Sequence, residues 1–162
     1  MKNTLLFLLL IPFILQAQAP LTAFDNLVGS TWEVKGKWGN GEEFRQEYAF
    51  QWSLNKKMVK VQTKGTVDML TKEYGLRNEG IRFWRENENK IVFYEFDVFG
   101  GITEGICNIE GKNIYYEYEY DGLTLRDSWI YQDENTYELV VASLENGKQK
   151  DVYQKSTVKR QD

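Results

Sequence analysis

Short breaks rich in Gly, Asn and Asp cut this chain into ten runs dense in Val, Ile, Thr and aromatic residues, at 30–38, 42–54, 57–67, 73–85, 90–99, 102–110, 113–120, 123–132, 136–145 and 148–158. The breaks include Gly39-Asn40-Gly41, Asn55-Lys56, Glu86-Asn89, Gly100-Gly101, Gly111-Lys112, Asp121-Gly122, Asp133-Asn135 and Asn146-Gly147, with a longer loop near Asp68-Thr71. Runs of this kind are strands, and two-residue Gly/Asn breaks are hairpin turns. A parallel crossover needs about a dozen residues, so breaks this short force antiparallel neighbours. The sequence therefore predicts an all-β fold: a single up-and-down antiparallel barrel of eight to ten strands, closed because closure removes the sheet edges. Pro20 to Leu27 is expected to form a short helical turn plugging one end, and Gly65, Gly75, Gly80 and Gly105 fall inside strands.

Tight turns also fix which residues oppose each other, and opposed residues share a face. Gly100-Gly101 pairs Phe99 with Ile102 and Asp97 with Glu104. Gly111-Lys112 pairs Cys107 with Tyr116, and Asp121-Gly122 pairs Tyr116 with Asp127. One face then collects Glu95, Asp97, Glu104, Glu117, Glu119, Thr124, Arg126 and Ser128, and is expected to be solvated. The other collects Val92, Tyr94, Phe96, Val98, Cys107, Tyr116, Tyr118, Tyr120, Leu125 and Trp129, and is expected to be the interior. Trp32, Val34, Phe44, Gln46, Tyr48, Phe50, Trp52, Val59, Val61 and Thr63 join the interior from the first hairpins, and Tyr137, Leu139 and Val141 from the ninth strand. A four-residue loop at Glu86-Asn89 opposes Ile81 to Tyr94 and Phe83 to Val92, which places Arg77 and Glu79 inside as well.

Composition removes several chemistries. The chain has no His and one Cys, so a Ser-His-Asp or Cys-His centre, imidazole metal ligation and an internal disulfide are all excluded. Its net charge of -4 argues against nucleic acid as a partner. No residue pattern calls for a metal or cofactor.

The N-terminus reads as an address. Lys2 precedes the unbroken apolar run 5–15, and Gln16-Ala17-Gln18-Ala19 ends it in small residues. That is the layout of a signal peptide over residues 1–19, cleaved after Ala17 or Ala19. The apolar run is about half the length a membrane span requires. The expectation is an exported protein, periplasmic or secreted, whose residues 20–162 are the barrel domain. With a lone Cys107, its stability rests on packing.

Inside a mostly apolar wall, Arg77, Glu79, Asp127, Gln46 and the hydroxyls of Tyr48, Tyr94, Tyr116 and Tyr118 form a polar minority. An apolar enclosure with a few polar groups is the composition of a small-molecule site. In that reading Arg77 meets the polar head of an amphiphilic ligand, Gln46 and the tyrosines orient it, and Tyr94, Phe96, Tyr116, Tyr118 and Trp129 line the apolar part. A structural alternative pairs Arg77 with Glu79 or Asp127 and leaves no ligand role. A second alternative is an interaction or inhibitor barrel working through its acidic outer face or loop rims, anchored by Trp38 or Trp84. A third is a carboxylate enzyme using Glu79 or Asp127 with a raised pKa.

Leu27-Val28-Gly29-Ser30-Thr31-Trp32 at the first strand resembles the opening of calycin-type barrels, the group of the lipocalins, fatty-acid-binding proteins and nitrobindin-like domains. The stretch Glu79-Gly80-Ile81-Arg82-Phe83-Trp84, continuing through Phe96-Asp97-Val98-Phe99-Gly100-Gly101 to Glu104-Gly105, Glu110-Gly111 and Asn113, is similar to secreted bacterial barrel domains of that group. The resemblance implies a closed barrel with an internal site for a hydrophobic or amphiphilic ligand. It departs from the lipocalin opening in having two residues between Gly29 and Trp32, where one is usual; Gly36-Lys37-Trp38 has the usual spacing but ends the strand. Lys155 and Lys159 are the candidates for the basic residue that lipocalins pack over the Trp. Haem binding of the nitrobindin type requires a His that this sequence lacks.

Overall fold

A computed structural model describes residues 20–161; the expected signal peptide lies outside them. Ten strands follow a single-turn 3-10 helix at Thr22–Phe24: β1 (Thr31–Lys37), β2 (Glu43–Ser53), β3 (Met58–Thr66), β4 (Tyr74–Arg85), β5 (Lys90–Asp97), β6 (Ile102–Glu110), β7 (Asn113–Tyr120), β8 (Leu123–Asp133), β9 (Thr136–Glu145) and β10 (Lys148–Gln161). Each pairs antiparallel with its sequence neighbours, and β1 pairs with β10 to close the barrel. Among the described residues no helix is long and apolar enough to cross a membrane.

Turn chemistry decides most registers. Asp121-Gly122 (φ 49° and 74°) and Asn146-Gly147 (φ 53° and 73°) adopt the doubly left-handed turn that suits a twisted hairpin. The expected pairings follow: Tyr116 opposes Asp127, Cys107 opposes Tyr116, Trp32 opposes Tyr48, Phe50 opposes Val61 and Trp129 opposes Leu139.

The β5–β6 turn breaks the pattern. Gly100-Gly101 is not a two-residue hairpin. Asp97 folds the segment back on itself: its Oδ1 accepts the backbone N–H groups of Phe99 and Gly101, each at 2.8 Å. The last ladder pair becomes Phe96 with Ile102, so Glu104 faces Tyr94 rather than Asp97. That odd offset turns β5 over relative to β6. The β4–β5 pairing is as expected, Ile81 with Tyr94 and Phe83 with Val92, so β4 turns over with it. Phe93 and Glu95 therefore point inward with Arg82 and Trp84. Ile81, Phe83, Val92 and Tyr94 point outward, where the Phe83 and Tyr94 rings stack 6.3 Å apart and Arg85 donates to the Tyr94 hydroxyl at 2.7 Å.

The core is deepest at the end capped by the 3-10 turn, hereafter the floor. Leu21, Phe24 and Leu27 are buried against Trp32, Phe50, Ile114 and Tyr137, as the sequence expectation of a plug requires. Trp32 Nε1 donates to the Leu27 carbonyl at 3.0 Å. The cation over the Trp32 ring is Arg160, 4.9 Å from the centroid, rather than Lys155 or Lys159. Arg160 Nη2 also donates to the Asn26 carbonyl oxygen at 2.6 Å, tying the last strand to the plug. Lys155 instead pairs with Glu138 on the outside. Edge-to-face contacts of Trp32 with Tyr137 (5.3 Å) and of Trp129 with Phe50 (5.5 Å) and Tyr137 (5.8 Å) fill this half, the geometry that ring quadrupoles favour.

Strand glycines make room for interior side chains. A Cβ on Gly80 would lie 2.6 Å from Arg82 Nη1 and 2.6 Å from the Tyr94 carbonyl oxygen. On Gly65 it would lie 3.1 Å from Arg77 Cδ, and on Gly105 it would lie 2.8 Å from the Phe93 ring.

Candidate functional site

The opposite end, the mouth, carries the β1–β2, β3–β4, β5–β6, β7–β8 and β9–β10 loops. Phe24, Leu27, Trp32 and Tyr137 at the floor are fully buried, whereas Gln46, Tyr48, Arg77, Glu95, Tyr118, Leu125 and Asp127 toward the mouth are half-buried. The polar interior groups therefore gather in the half that solvent reaches.

Arg82 is 4% exposed and its Nη2 forms an ion pair with Glu95 across the β4–β5 ladder. Its Nε lies 3.4 Å from the Tyr116 hydroxyl, and the guanidinium packs over the Tyr116 and Phe93 rings at 4.9 and 5.5 Å. Arg82 Nη1 is buried with no partner among the described residues. Glu95 opposes the loss of charge that burial favours, so Arg82 stays protonated. Asp127 receives a hydrogen bond from the Tyr118 hydroxyl at 3.0 Å. Burial pushes its carboxyl up to about 7, with Glu95 acting in the same direction and Tyr118 and Arg82 against it. Tyr48 donates to Gln46 Oε1 at 2.6 Å, and burial raises the pKa values of Tyr48, Tyr116 and Tyr118 well above the ordinary phenol value. All three hydroxyls are neutral donors at physiological pH.

Gln46, Tyr48, Tyr116, Tyr118, Asp127 and Trp129 point into the lumen, as the registers predict. Arg77 is also on the lumen side, but for another reason. A β-bulge between Thr63 and Lys64 shifts the β3–β4 ladder and brings Arg77 in at the mouth. There its Nη1 donates to the Thr66 carbonyl at 2.6 Å and its guanidinium lies 5.0 Å from the Phe99 centroid. Three of the expected site residues lie outside the lumen, along with Ile81, Phe83 and Val92. Glu79 accepts from Gln62 Nε2 at 2.6 Å, Tyr94 belongs to the outer stack with Phe83, and Phe96 is 50% exposed. Their displacement is the inversion of β4 and β5. Its complement is the arrival of Arg82 and Glu95 in the lumen. The signal for those two was the Asp97-Val98-Phe99-Gly100-Gly101 stretch, since an Asp before a turn competes for its backbone N–H groups.

The alternative pairing of Arg77 with Glu79 or Asp127 is not formed; the ion pair inside the barrel is Arg82 with Glu95. Trp84 is not an exposed anchor, because it packs against the core; Trp38 is 37% exposed and its ring lies tilted against Phe44 at 4.6 Å. Cys107 is buried opposite Tyr116, and burial pushes its thiol up to about 12, which leaves it without nucleophilic character at neutral pH. Two hollows of about 360 and 560 Å³ open elsewhere. The first lies beside Pro20, Trp84 and Ile109, and the second beside Lys35, Arg45 and Tyr74; neither is lined by Arg82, Glu95 or Asp127.

The fold and interior define a closed, ten-stranded antiparallel β-barrel with an ion pair inside it. No protein-family model matches the chain, and no curated protein matches it. Among solved structures it is similar to a redesigned β-barrel at 12% identity and a TM-score of 0.45, over 86% of this chain and 96% of that one.

Proposed function

We propose that this chain is an exported, calycin-like binding barrel that holds a small amphiphilic molecule in the mouth half of its lumen. The observation that carries the reading is the split interior. An aromatic floor is closed to solvent, and above it Asp127, Glu95, Tyr48, Tyr118 and Gln46 remain half-buried and within reach of a ligand. Trp129, Leu125 and Phe44 share the lumen face with these groups, and Arg77 stands at the mouth. Arg160 over Trp32 supports the calycin part of the proposal, because a basic side chain across the first-strand Trp is a feature the resemblance implies. The signal-like residues 1–19 support export.

The test is native mass spectrometry of the protein purified from its own host, followed by fluorescence titration with amphiphiles, using Trp129→Phe to assign the lumen signal. A retained small molecule, or saturable quenching lost in Trp129→Phe, is expected. A folded barrel that retains and binds none overturns the proposal.

One observation favours a second reading, an interaction barrel working through its loops. Large exposed apolar side chains collect at the mouth, among them Leu70 at 94%, Ile102 at 68% and Phe99 at 53%, with Leu54 the exception at the other end. A protein partner lost on changing Leu70 and Phe99 to Ser, with amphiphile binding absent, would select this reading.

A further inference from the structure

The cations of the lumen are already committed. Arg82 is taken by Glu95, and Arg77 is held at the mouth by the Thr66 carbonyl. Asp127 has neither. Among the described residues no Lys or Arg nitrogen comes within ion-pair distance of it, and its hydrogen bond is the one from Tyr118. Its surroundings are aromatic: Tyr116 directly opposite on β7, Tyr118 one step along the same face, Trp129 two residues on, and Tyr48 against Trp129 at 5.0 Å. From β9 the residue facing it is the apolar Val141. A carboxylate with no cation within ion-pair distance, set among aromatic side chains, is the complement of an organic ammonium, which gains an ion pair and cation–π contacts together.

Direction follows from packing. Below Asp127 the lumen is filled by Trp129, Phe50 and Tyr137, so a chain attached to a group seated there has to run toward the mouth. At the mouth Val98, Phe99, Ile102 and Leu123 are apolar side chains about half exposed or more, the Phe99 ring with Arg77 against it. Resting on the lumen-binding reading above, we infer that the ligand is a lipophilic amine, its ammonium bound to Asp127 among the tyrosines and Trp129, its tail leaving through the mouth.

The groups that set the pH response are Tyr48 from β2, Arg82 from β4, Glu95 from β5, and Tyr116 and Tyr118 from β7. Binding needs the ionised carboxylate. With Asp127 pushed up to about 7, part of the population gives up a proton when the ammonium arrives. Amine affinity therefore falls by about tenfold per unit once the pH drops below that value.

The experiment is calorimetric titration of the barrel at pH 8 with dodecylamine, dodecanoic acid and dodecanol, each below its aggregation concentration. Dodecylamine is expected to bind tightest, and Asp127→Asn to weaken it by about tenfold or more relative to dodecanol. Asn keeps an acceptor for the Tyr118 hydroxyl. Should that variant fail to fold, the wild-type profile from pH 8 to pH 5 carries the same test. Dodecanoic acid binding as tightly as the amine, an amine affinity indifferent to Asp127→Asn, or a flat pH profile each overturns the inference and leaves lumen binding intact. A folded barrel that takes none of the three overturns the lumen reading itself.

Discussion

The floor and the mouth half of this barrel are built from the same strands and solve opposite problems. At the floor, Trp32, Phe24, Leu27 and Tyr137 are removed from water completely, and the polar atoms among them have partners: Trp32 Nε1 on the Leu27 carbonyl, Tyr137 Oη with Asn26. Toward the mouth, the interior keeps the buried Arg82 guanidinium, two half-buried carboxylates and several hydroxyls; among the described residues Arg82 Nη1 here and Arg160 Nε at the floor are guanidinium nitrogens left without a partner. The first arrangement gains stability from apolar burial and aromatic geometry. The second gives some of it up, since buried ion pairs return little more than their desolvation costs. The difference teaches that the floor is what folds the chain and that the mouth half is where function has latitude.

The largest effect should come from breaking the floor. Trp32→Ala removes a fully buried indole, its hydrogen bond to Leu27 and the ring under Arg160; a loss of about 3–5 kcal/mol in urea unfolding is expected. In the mouth half, Arg82→Met strands Glu95 beside Asp127. We expect a loss of about 3 kcal/mol, with most of it recovered in the double variant that also carries Glu95→Leu. Equal losses in single and double variants would mean that packing of the Arg82 stem, not charge, is what matters. Gly80→Ala places its Cβ 2.6 Å from the Tyr94 carbonyl oxygen, a backbone atom that cannot step aside, and should cost about 1–3 kcal/mol; a neutral outcome would show that the lumen wall there is soft.

Another effect has the opposite sign. The Asp127 carboxyl, ordinarily at 3.8, sits at about 7 in the fold, so across that interval the folded chain holds a proton the unfolded chain has lost. Stability contributed by this group falls as pH rises through the interval and is level above it. Asp127→Asn should therefore be more stable than the parent at pH 8 by about 3–4 kcal/mol and nearly equal to it at pH 4, read from paired urea melts. The smallest change is expected outside. Arg126 and Glu117 pair at 2.6 Å on the solvated face, and Arg126→Ala should shift stability by less than about 1 kcal/mol, less still in high salt.

The chain's local chemistry was legible wherever a turn was set by the backbone preferences of one or two residues. Asp121-Gly122 and Gly111-Lys112 put Tyr116, Tyr118, Asp127 and Trp129 on one face. It was misleading where a side chain competed for the turn. Gly100-Gly101 looks like a hairpin until the Asp97 carboxylate takes the N–H groups of Phe99 and Gly101. Alternation gave no correction, because the outer face of β4 and β5 (Ile81, Phe83, Val92, Tyr94) is as apolar as the inner one. Arg77 reached the expected side of the wall through a bulge that neither strand's pattern announces.

What the amino-acid order determined by itself was the number of strands, their antiparallel sequence, the closure and the plug, because these depend on turn residues and on strand length. Only the tertiary structure decided that Arg82 and Glu95, not Arg77 and Glu79, occupy the interior, and that Arg160 covers Trp32. Those choices depend on strand parity and on contacts between residues far apart in the chain. A single carboxylate capturing two N–H groups is enough to reverse a parity that every local preference had left balanced.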